Sequence, residues 1–423
     1  MYDASYNKKT LARELRKTDI HNDPSLKVEA TKDVLLTAAV ESSKTLFDGS
    51  NPLRSFSLKG KTISCVDRLA YDLVIRKLCK NLKHATLVRQ QNRNAIIFSI
   101  TKLLAEGTPY RIYRLDIRSF YESFSTEYIE ETIDSLRKLS TQSAKLLRYI
   151  LNSHYQAGGT GIPRGLPLSA TLSELLMQPF DRKVKNAPEV FFYARYVDDI
   201  IIITSRNEKK TAFKKWIAQQ LPGGLKLNPT KQHVKTAESR VEPYKPPALQ
   251  KELLQFDYLG YSFSVKEPPK DSTVSQSLKH FRSVTTDIAP KKIKKLKTRI
   301  SRSMLDFSKT GDFELLKLRI KFLTTNFRIK DPDTHQTRLA GIFYSYPFIQ
   351  GVNSRGIQQL DKFLKNAILS KCGRIYSASS TALTKPMKRQ LLGHSFLNGH
   401  INKPIVHFHP QTIKLIQECW KNE

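Results

Sequence analysis

The chain has 423 residues with 39% hydrophobic content, enough for two or three lobes with buried interiors. Lys and Arg number 71 against 38 Asp and Glu, a formal net charge of +33; such an excess destabilises a compact state unless an anionic partner neutralises it, which nucleic acid does with release of counterions. The four cysteines, Cys65, Cys79, Cys372 and Cys419, lie far apart, which excludes a zinc ribbon or a disulfide framework and fits a reducing compartment.

The opening segment is polar, without the apolar core of a signal peptide, and no run approaches membrane-spanning length, so the expectation is a soluble, cytoplasmic protein. An anionic membrane surface is the weaker alternative partner, because the basic residues are spread through the chain rather than gathered on one amphipathic stretch. Residues 1–57 are polar and helical in part, notably over 31–46. From 63 to 82, Leu69, Leu73, Val74 and Leu78 recur at three- and four-residue steps and predict one amphipathic helix. A second helix is expected over 94–106, ending at Gly107-Thr-Pro109. Strand character takes over at 110–117, and a helix follows with Ser125 as N-cap and Glu127, Glu130 and Glu131 toward its positive end. Residues 158–167 hold four glycines and two prolines, a break in the chain, and a helix then runs to about Arg182. Residues 191–204 (FFYARYVDDIIIIT) predict two strands around Asp198-Asp199, with aspartate tolerating the left-handed backbone of a tight turn. Past Pro268-Pro269 the composition shifts, and 291–330 carry thirteen Lys/Arg against three Asp/Glu at helical periodicity. A domain boundary is therefore expected near 268–290. The remainder predicts mostly helix, with loops at Asp331-Pro332 and over 341–356. Helix, strand, helix, helix, hairpin is an α+β order rather than a doubly wound one.

Nucleotidyl transfer needs a deprotonated 3′-hydroxyl in line with an α-phosphate and a neutralised pyrophosphate. Two divalent ions roughly 3.5–4 Å apart meet both needs. Mg²⁺ prefers hard oxygen ligands and few protein groups, so two or three convergent carboxylates suffice. Asp198 and Asp199 at a hairpin tip, with Asp116 near the end of the 110–117 strand, supply that set if the strands are antiparallel neighbours. The competing reading of each element alone is a solvated turn and an ordinary edge residue.

Tyr196-Val197-Asp198-Asp199 resembles the Tyr-x-Asp-Asp box of reverse transcriptases. Arg114-Leu-Asp116-Ile-Arg-Ser-Phe-Tyr-Glu-Ser-Phe124 is similar to their first catalytic motif, and Gly161-Ile-Pro-Arg-Gly-Leu-Pro-Leu-Ser169 to the Gly-rich segment between the two. Leu227-Asn-Pro-Thr-Lys231 and Phe256-Asp-Tyr-Leu-Gly260 resemble the two motifs that follow, the second being the primer grip. The five occur in family order over about residues 60–265.

The resemblance implies a right-hand polymerase: an N-terminal helical extension (1–57), fingers (58–110), an antiparallel-sheet palm (111–267), a basic helical thumb (268–345) and a helical C-terminal region (346–423). It implies two Mg²⁺ ions, with Mn²⁺ as the alternative, held by Asp116, Asp198, Asp199 and the Ile117 backbone. Tyr121 matches the steric gate that crowds a ribose 2′-hydroxyl, its competing reading being a core aromatic. Arg118, Ser119 and Phe120 would meet the triphosphate, Gly165 would admit base and template closely, and Lys231 would offset or protonate the pyrophosphate unless it is a solvated turn lysine. Arg68 is a further nucleotide candidate and Arg93 a template one. Tyr196, Leu259 and Gly260 would seat the primer, and Lys294 and Lys297 on the basic helices would follow a duplex backbone, unless that face is only solvated. Many relatives have Gln-Gly where this chain has Arg164-Gly165; the arginine is a candidate nucleotide contact. It and the Ser-Glu-Leu-Leu after it resemble bacterial reverse transcriptases of phage defence and abortive infection.

The function so implied is RNA-directed DNA synthesis on an RNA template, one dedicated and structured, from dNTPs, in bacterial antiphage defence. Template-independent or protein-primed DNA synthesis and an inactive RNA-binding scaffold stay open as alternatives, as does the oligomeric state. His407-Phe-His409-Pro reads as a pair of packing histidines rather than metal ligands, and Phe322, Phe327, Tyr344 and Tyr346 as base-stacking or core aromatics.

Overall fold

The computed structural model describes residues 2–58, 60–238, 252–267, 281–330, 337–373 and 382–421. The chain divides into two compact units, residues 1–96 with 108–238, and residues 97–107 with 239–423.

The first unit begins with helices α1 (Lys8–Ala12), α2 (Lys17–Asn22) and α3 (Glu29–Lys44), followed by an antiparallel hairpin of β1 (Arg54–Leu58) and β2 (Lys61–Cys65). The expected 63–82 helix is therefore shorter at its start. Thr62 and Ile63 are β-branched and pair with β1, and the apolar stripe governs only from α4 (Leu69–Thr86) onward. Helix α5 (Arg93–Leu104) runs from this unit into the second. Then come β3 (Tyr110–Asp116), α6 (Thr126–Asp134), α7 (Thr141–Gln156), α8 (Pro167–Lys185), β4 (Val190–Tyr196), β5 (Asp199–Thr204), α9 (Lys210–Gln220) and β6 (His233–Ala237). Ser125 caps α6 by accepting a hydrogen bond from the Tyr128 N–H.

Strands β4-β5-β3-β6 form one antiparallel sheet in that order. The isoleucines at 200–203 are all buried, which an alternating strand would not allow; β5 is flanked by strands on both sides and covered on both faces. Tyr113, Leu115, Ile200 and Ile202 join a core with Leu73 and Leu78 of α4, Leu147 and Ile150 of α7, and Leu172, Leu176 and Phe180 of α8. Each such side chain contributes roughly 1.5–3 kcal/mol on burial, and together they hold β3 and β5 rigid beneath their polar ends. The N-terminal helices are fastened by charge: Arg76, buried, bonds both oxygens of Asp19 at 2.6 and 3.0 Å, the Asp72 carboxylate at 2.5 Å and the Glu14 carbonyl at 3.0 Å.

The second unit opens with an antiparallel sheet of β7 (Glu252–Tyr258), β8 (Tyr261–Lys266) and β9 (Ser283–Ile288) in that order. Next are α10 (Pro290–Thr310), α11 (Phe313–Thr324), β10 (Asn326–Lys330), β11 (Thr337–Gly341), α12 (Ile342–Ser345), α13 (Arg355–Leu369), α14 (Lys385–Leu392), α15 (Phe396–Ile401), β12 (Ile405–Val406) and α16 (Pro410–Glu418). The units part at Glu238/Ser239, ahead of the 268–290 shift in composition, because β9 extends the sheet that β7 and β8 begin. The region is also less helical than its periodicity predicts: β10 pairs with β11 antiparallel and with β12 in parallel. The expected loop at Asp331-Pro332 lies outside the described residues. Helix α10 does carry the amphipathic stripe, with Ile293, Ile300, Met304 and Phe307 buried and Lys291, Lys292, Lys294 and Lys295 exposed.

Phe322 stacks on Phe327 at 4.2 Å and meets Phe408 and Trp420, and Tyr346 packs edge-on to Tyr261, so of the four aromatics expected to be base-stacking or core, these three are core. Tyr344 is half-buried. His407 and His409 are exposed; the residue that packs is Phe408 between them, and His409 caps α16. Among the described residues no helix is long and apolar enough to cross a membrane, and all four cysteines are free thiols.

Candidate active site

Register decides where the three acids lie. Asp116, the last residue of β3, is the cross-strand partner of Asp199, the first residue of β5, and Asp199 in turn faces Tyr196 at the end of β4. Directly paired residues point to the same face of a sheet. Asp198 is in the two-residue turn between β4 and β5, and its carbonyl accepts a hydrogen bond from the Ile117 N–H at 3.2 Å. Asp116 and the distant pair Asp198-Asp199 thus collect at one end of the sheet.

The turn differs from expectation. Val197, not an aspartate, takes the left-handed backbone, with φ +60°. For a β-branched residue this is a costly conformation, on the order of 1–3 kcal/mol, that surrounding structure must hold in place. Arg195 does so. Its guanidinium is 2% exposed, bonds Glu174 at 3.2 and 2.7 Å and Asp181 at 2.8 and 2.7 Å, and donates to the Val197 carbonyl at 3.0 Å.

After β3 the chain turns through Ser119, at φ +46°, and is laced to the segment before β6. Ile117 bridges Leu227, the Arg118 N–H donates to the Lys226 carbonyl at 3.0 Å, and the Ser125 N–H donates to the Gly223 carbonyl at 3.0 Å. Gly224, at φ +87°, lies so close that a Cβ would fall 2.0 Å from the Ser123 carbonyl oxygen. This lacing brings Asn228 and Lys231 onto Asp116. Asn228 donates from its backbone to the Asp116 carbonyl at 2.7 Å and from its side chain to Oδ1 at 3.0 Å, while the Lys231 ammonium holds Oδ2 at 2.9 Å.

The electrostatics follow from this crowding. Burial pushes the Asp198 carboxyl up, and Asp116 adds to it, against the Asp198 backbone N–H and the charges of Lys231 and Lys61. Burial and then Asp198 raise Asp199, opposed by Arg114 and Lys231. The Asp116 hydrogen bond raises Lys231. Mutually repelling, partly buried carboxylates are relieved by a cation, and a cationic ammonium already lies on one of them. The donors are hard oxygens, the class Mg²⁺ takes. Among the described residues no group of three or more His, Cys, Asp or Glu side chains is arranged to hold a metal ion; both Asp116 oxygens are occupied, by Asn228 and Lys231.

Other expected residues fall as follows. Arg118 and Ser119 are exposed in the turn after β3, whereas Phe120 is buried and packs edge-on to Phe124, a core position. Tyr121 is half-buried, and burial raises its hydroxyl, against Ser173 and Arg164, with Asp198 adding to the rise. Arg164 forms a bidentate pair with Glu122 and lies over the Tyr121 ring. Gly165, at φ +107°, admits the β2 backbone rather than an open approach: a Cβ would meet the Ser64 carbonyl oxygen at 2.6 Å. Arg68 folds onto Tyr71, donating to its hydroxyl at 2.8 Å. Arg93 begins α5. In the second unit Leu259 and Gly260, both at positive φ, make the β7–β8 turn; Lys294 is exposed, and the Lys297 ammonium lies 5.6 Å from the Phe363 ring.

Sequence reasoning missed Asn228, Lys61, Arg114 and the group of Arg195, Glu174 and Asp181. Asn228 lay inside a quoted motif. Arg195 carried a signal of its own, an arginine in an otherwise apolar strand, which requires buried partners. Arg114 opens the motif around Asp116, and Lys61 carried no signal.

Residues 63–263 match the family described as reverse transcriptase (RNA-dependent DNA polymerase). The match spans a little under half of the chain. No protein of curated function matches the sequence. Among solved structures, apo telomerase from Candida tropicalis, truncated from the C-terminal domain, is similar at 14% identity and a TM-score of 0.33; the match covers 56% of this chain and spans 55% of that one.

Proposed function

We propose that the protein is an RNA-templated DNA polymerase of right-hand architecture, with fingers over 58–110, palm over 111–267 and thumb over 268–345, flanked by helical regions at 1–57 and 346–423. It works in the bacterial cytoplasm in antiphage defence, on a dedicated structured RNA. The observation that carries the catalytic reading is the register of Asp116 against Asp199, with Asp198 at the adjoining turn. The match of residues 63–263 to the reverse transcriptase family supports the choice of RNA template and DNA product. The defence role rests on the resemblance of Arg164-Gly165 and the Ser-Glu-Leu-Leu that follows.

Asp116 and Asp198 would hold two Mg²⁺ ions, or Mn²⁺, with Asp199 and the Ile117 backbone in support; once bound, they supply an activated 3′-hydroxyl and neutralise charge on the leaving pyrophosphate. Lys231, tethered beside Asp116, offsets charge on the departing pyrophosphate or protonates it. Arg118, Ser119 and Lys61 provide donors for the triphosphate. Tyr121 closes the sugar side of the site, so that deoxynucleotides are favoured. Tyr196, Leu259 and Gly260 seat the primer, while Arg93, Lys294 and Lys297 contact template or duplex backbone, an interaction that weakens steeply with salt.

Purified protein is given Mg²⁺, labelled dNTPs and a primed RNA template, then no template. Template-dependent extension supports the proposal, and replacing Asp198 and Asp199 together by Ala abolishes it while RNA affinity is kept. Extension without template, or activity surviving the double replacement, overturns it.

A further inference from the structure

Arg164 stands where a glutamine is common in the resembling motif, and its guanidinium is engaged on two sides. Nε and one terminal nitrogen donate to the two Glu122 carboxylate oxygens at 2.9 and 3.0 Å, a fork that fixes the plane of the group. That plane lies over the Tyr121 ring, 5.0 Å from its centroid. The Arg164 side chain is 22% exposed, so the contact is largely shielded from water.

The backbone on either side is pinned too. The Tyr121 carbonyl accepts from the Ile162 N–H at 2.8 Å, and the Arg164 carbonyl accepts from the Ser64 N–H at 2.7 Å. Gly161 sits flush against residue 121; a Cβ there would fall 2.3 Å from the Tyr121 carbonyl oxygen. Phe120 packs edge-on against the ring, with centroids 5.3 Å apart. Tyr121 is therefore held by Phe120 and Arg164, and of the two Arg164 is oriented by an ion pair.

We infer that Arg164, oriented by Glu122, is a positioning residue that braces Tyr121 and so sets discrimination between deoxyribo- and ribonucleotides. This rests on the reading of Tyr121 as the sugar gate. A gate rejects a 2′-hydroxyl by steric overlap, and overlap penalises only where the ring cannot yield. One added oxygen is relieved by a ring shift of about 1 Å, because the repulsive wall is that narrow. Removing the cation from the ring face frees that shift without taking away the ring. Arg164 so occupied is not the nucleotide ligand that its sequence position implies.

The test measures kcat/KM for dTTP and for UTP on a primed RNA template, for the wild type and for Tyr121→Ala, Arg164→Met, Arg164→Lys and Glu122→Gln. Tyr121→Ala collapses the selectivity ratio and so checks the gate itself. Arg164→Met lowers the ratio about tenfold, the size of one shielded cation–π contact, mainly by raising UTP use. Arg164→Lys restores little, since an ammonium lacks the planar fork. Glu122→Gln shifts the ratio in the same direction, and the Arg164→Met/Glu122→Gln double variant is no worse than Arg164→Met alone, because the two act as one unit. If Tyr121→Ala leaves the ratio unchanged, the gate reading fails and the inference with it. If Tyr121→Ala collapses the ratio while Arg164→Met and Glu122→Gln keep it, the brace is refuted and the gate stands. Equal losses for both nucleotides in Arg164→Met make Arg164 a substrate ligand and also refute the brace. Should Arg164→Met not fold, Glu122→Gln decides the question alone.

Discussion

Replacing Arg195 by Met removes the cation that neutralises Glu174 and supports the strained turn at Val197. The methionine fills comparable space, so the loss is electrostatic. Arg195 is 2% exposed, Glu174 12% and Asp181 27%. Stripping the partner from a buried ion pair costs about 3–5 kcal/mol, because the remaining charge stays buried and unpaired. For a unit of this size that is a fall of roughly 6–20 °C in the melting midpoint. The pH dependence separates this cause from a packing defect. Burial already pushes Glu174 up, against the charge and hydrogen bonds of Arg195, with Asp181 adding to the rise. An acid whose folded pKa exceeds its unfolded value withdraws stability as pH rises through that range. Arg195→Met raises Glu174 further, so its deficit against wild type grows as pH rises above the ordinary carboxylate range and shrinks on acidification. Adding Glu174→Gln recovers part of the loss. Thermal melts across this pH series are the assay. A midpoint within about 2 °C of wild type, or a deficit independent of pH, refutes the reasoning.

Val197→Gly relieves the left-handed backbone and, after the greater chain entropy of glycine, stabilises by about 0.5–1 kcal/mol in urea unfolding. Gly165→Ala costs about 1–3 kcal/mol from its φ of +107° alone, and it drives β2 away, so the Ser64 amide, bonded to the Arg164 carbonyl, loses protection in hydrogen exchange. Asp19→Asn tests the N-terminal clasp. Burial opposes ionisation of Asp19, but its hydrogen bonds and Arg76 outweigh that and hold the carboxyl below its ordinary value. Its contribution is present above the unfolded pKa and lost as pH falls through the folded one. The variant loses about 1.5–3 kcal/mol at neutral pH and converges with wild type at low pH in urea unfolding.

What was legible in the sequence followed from contrast. Asp198 and Asp199 stand out because acids rarely interrupt a run of aromatic and β-branched residues, and Asp116 closes a strand of the same kind. The register joining them is a consequence of burying Leu115 and Tyr113 on the face that also buries Ile200 and Ile202. The β2 strand was hidden because its short apolar run abuts the α4 stripe, and periodicity alone does not separate the two. Turn chemistry assigned the strained position to aspartate, yet Val197 takes it, because a buried guanidinium two residues earlier holds its carbonyl. At Gly165 the close approach in the structure is that of the β2 backbone. Propensity names the need for a missing Cβ, and only packing names what fills the space.

The two bonds from Asn228 to Asp116, one through the backbone and one through the side chain, tie a strand end to a turn more than a hundred residues away. With the Lys231 ammonium on the other carboxylate oxygen, acid and base travel as one mechanical piece. A ligand that tugs the carboxylate drags the lysine with it, and strain entering at the 228–231 turn is felt at the strand end. The charge balance of this corner is thus inherited from its backbone connections.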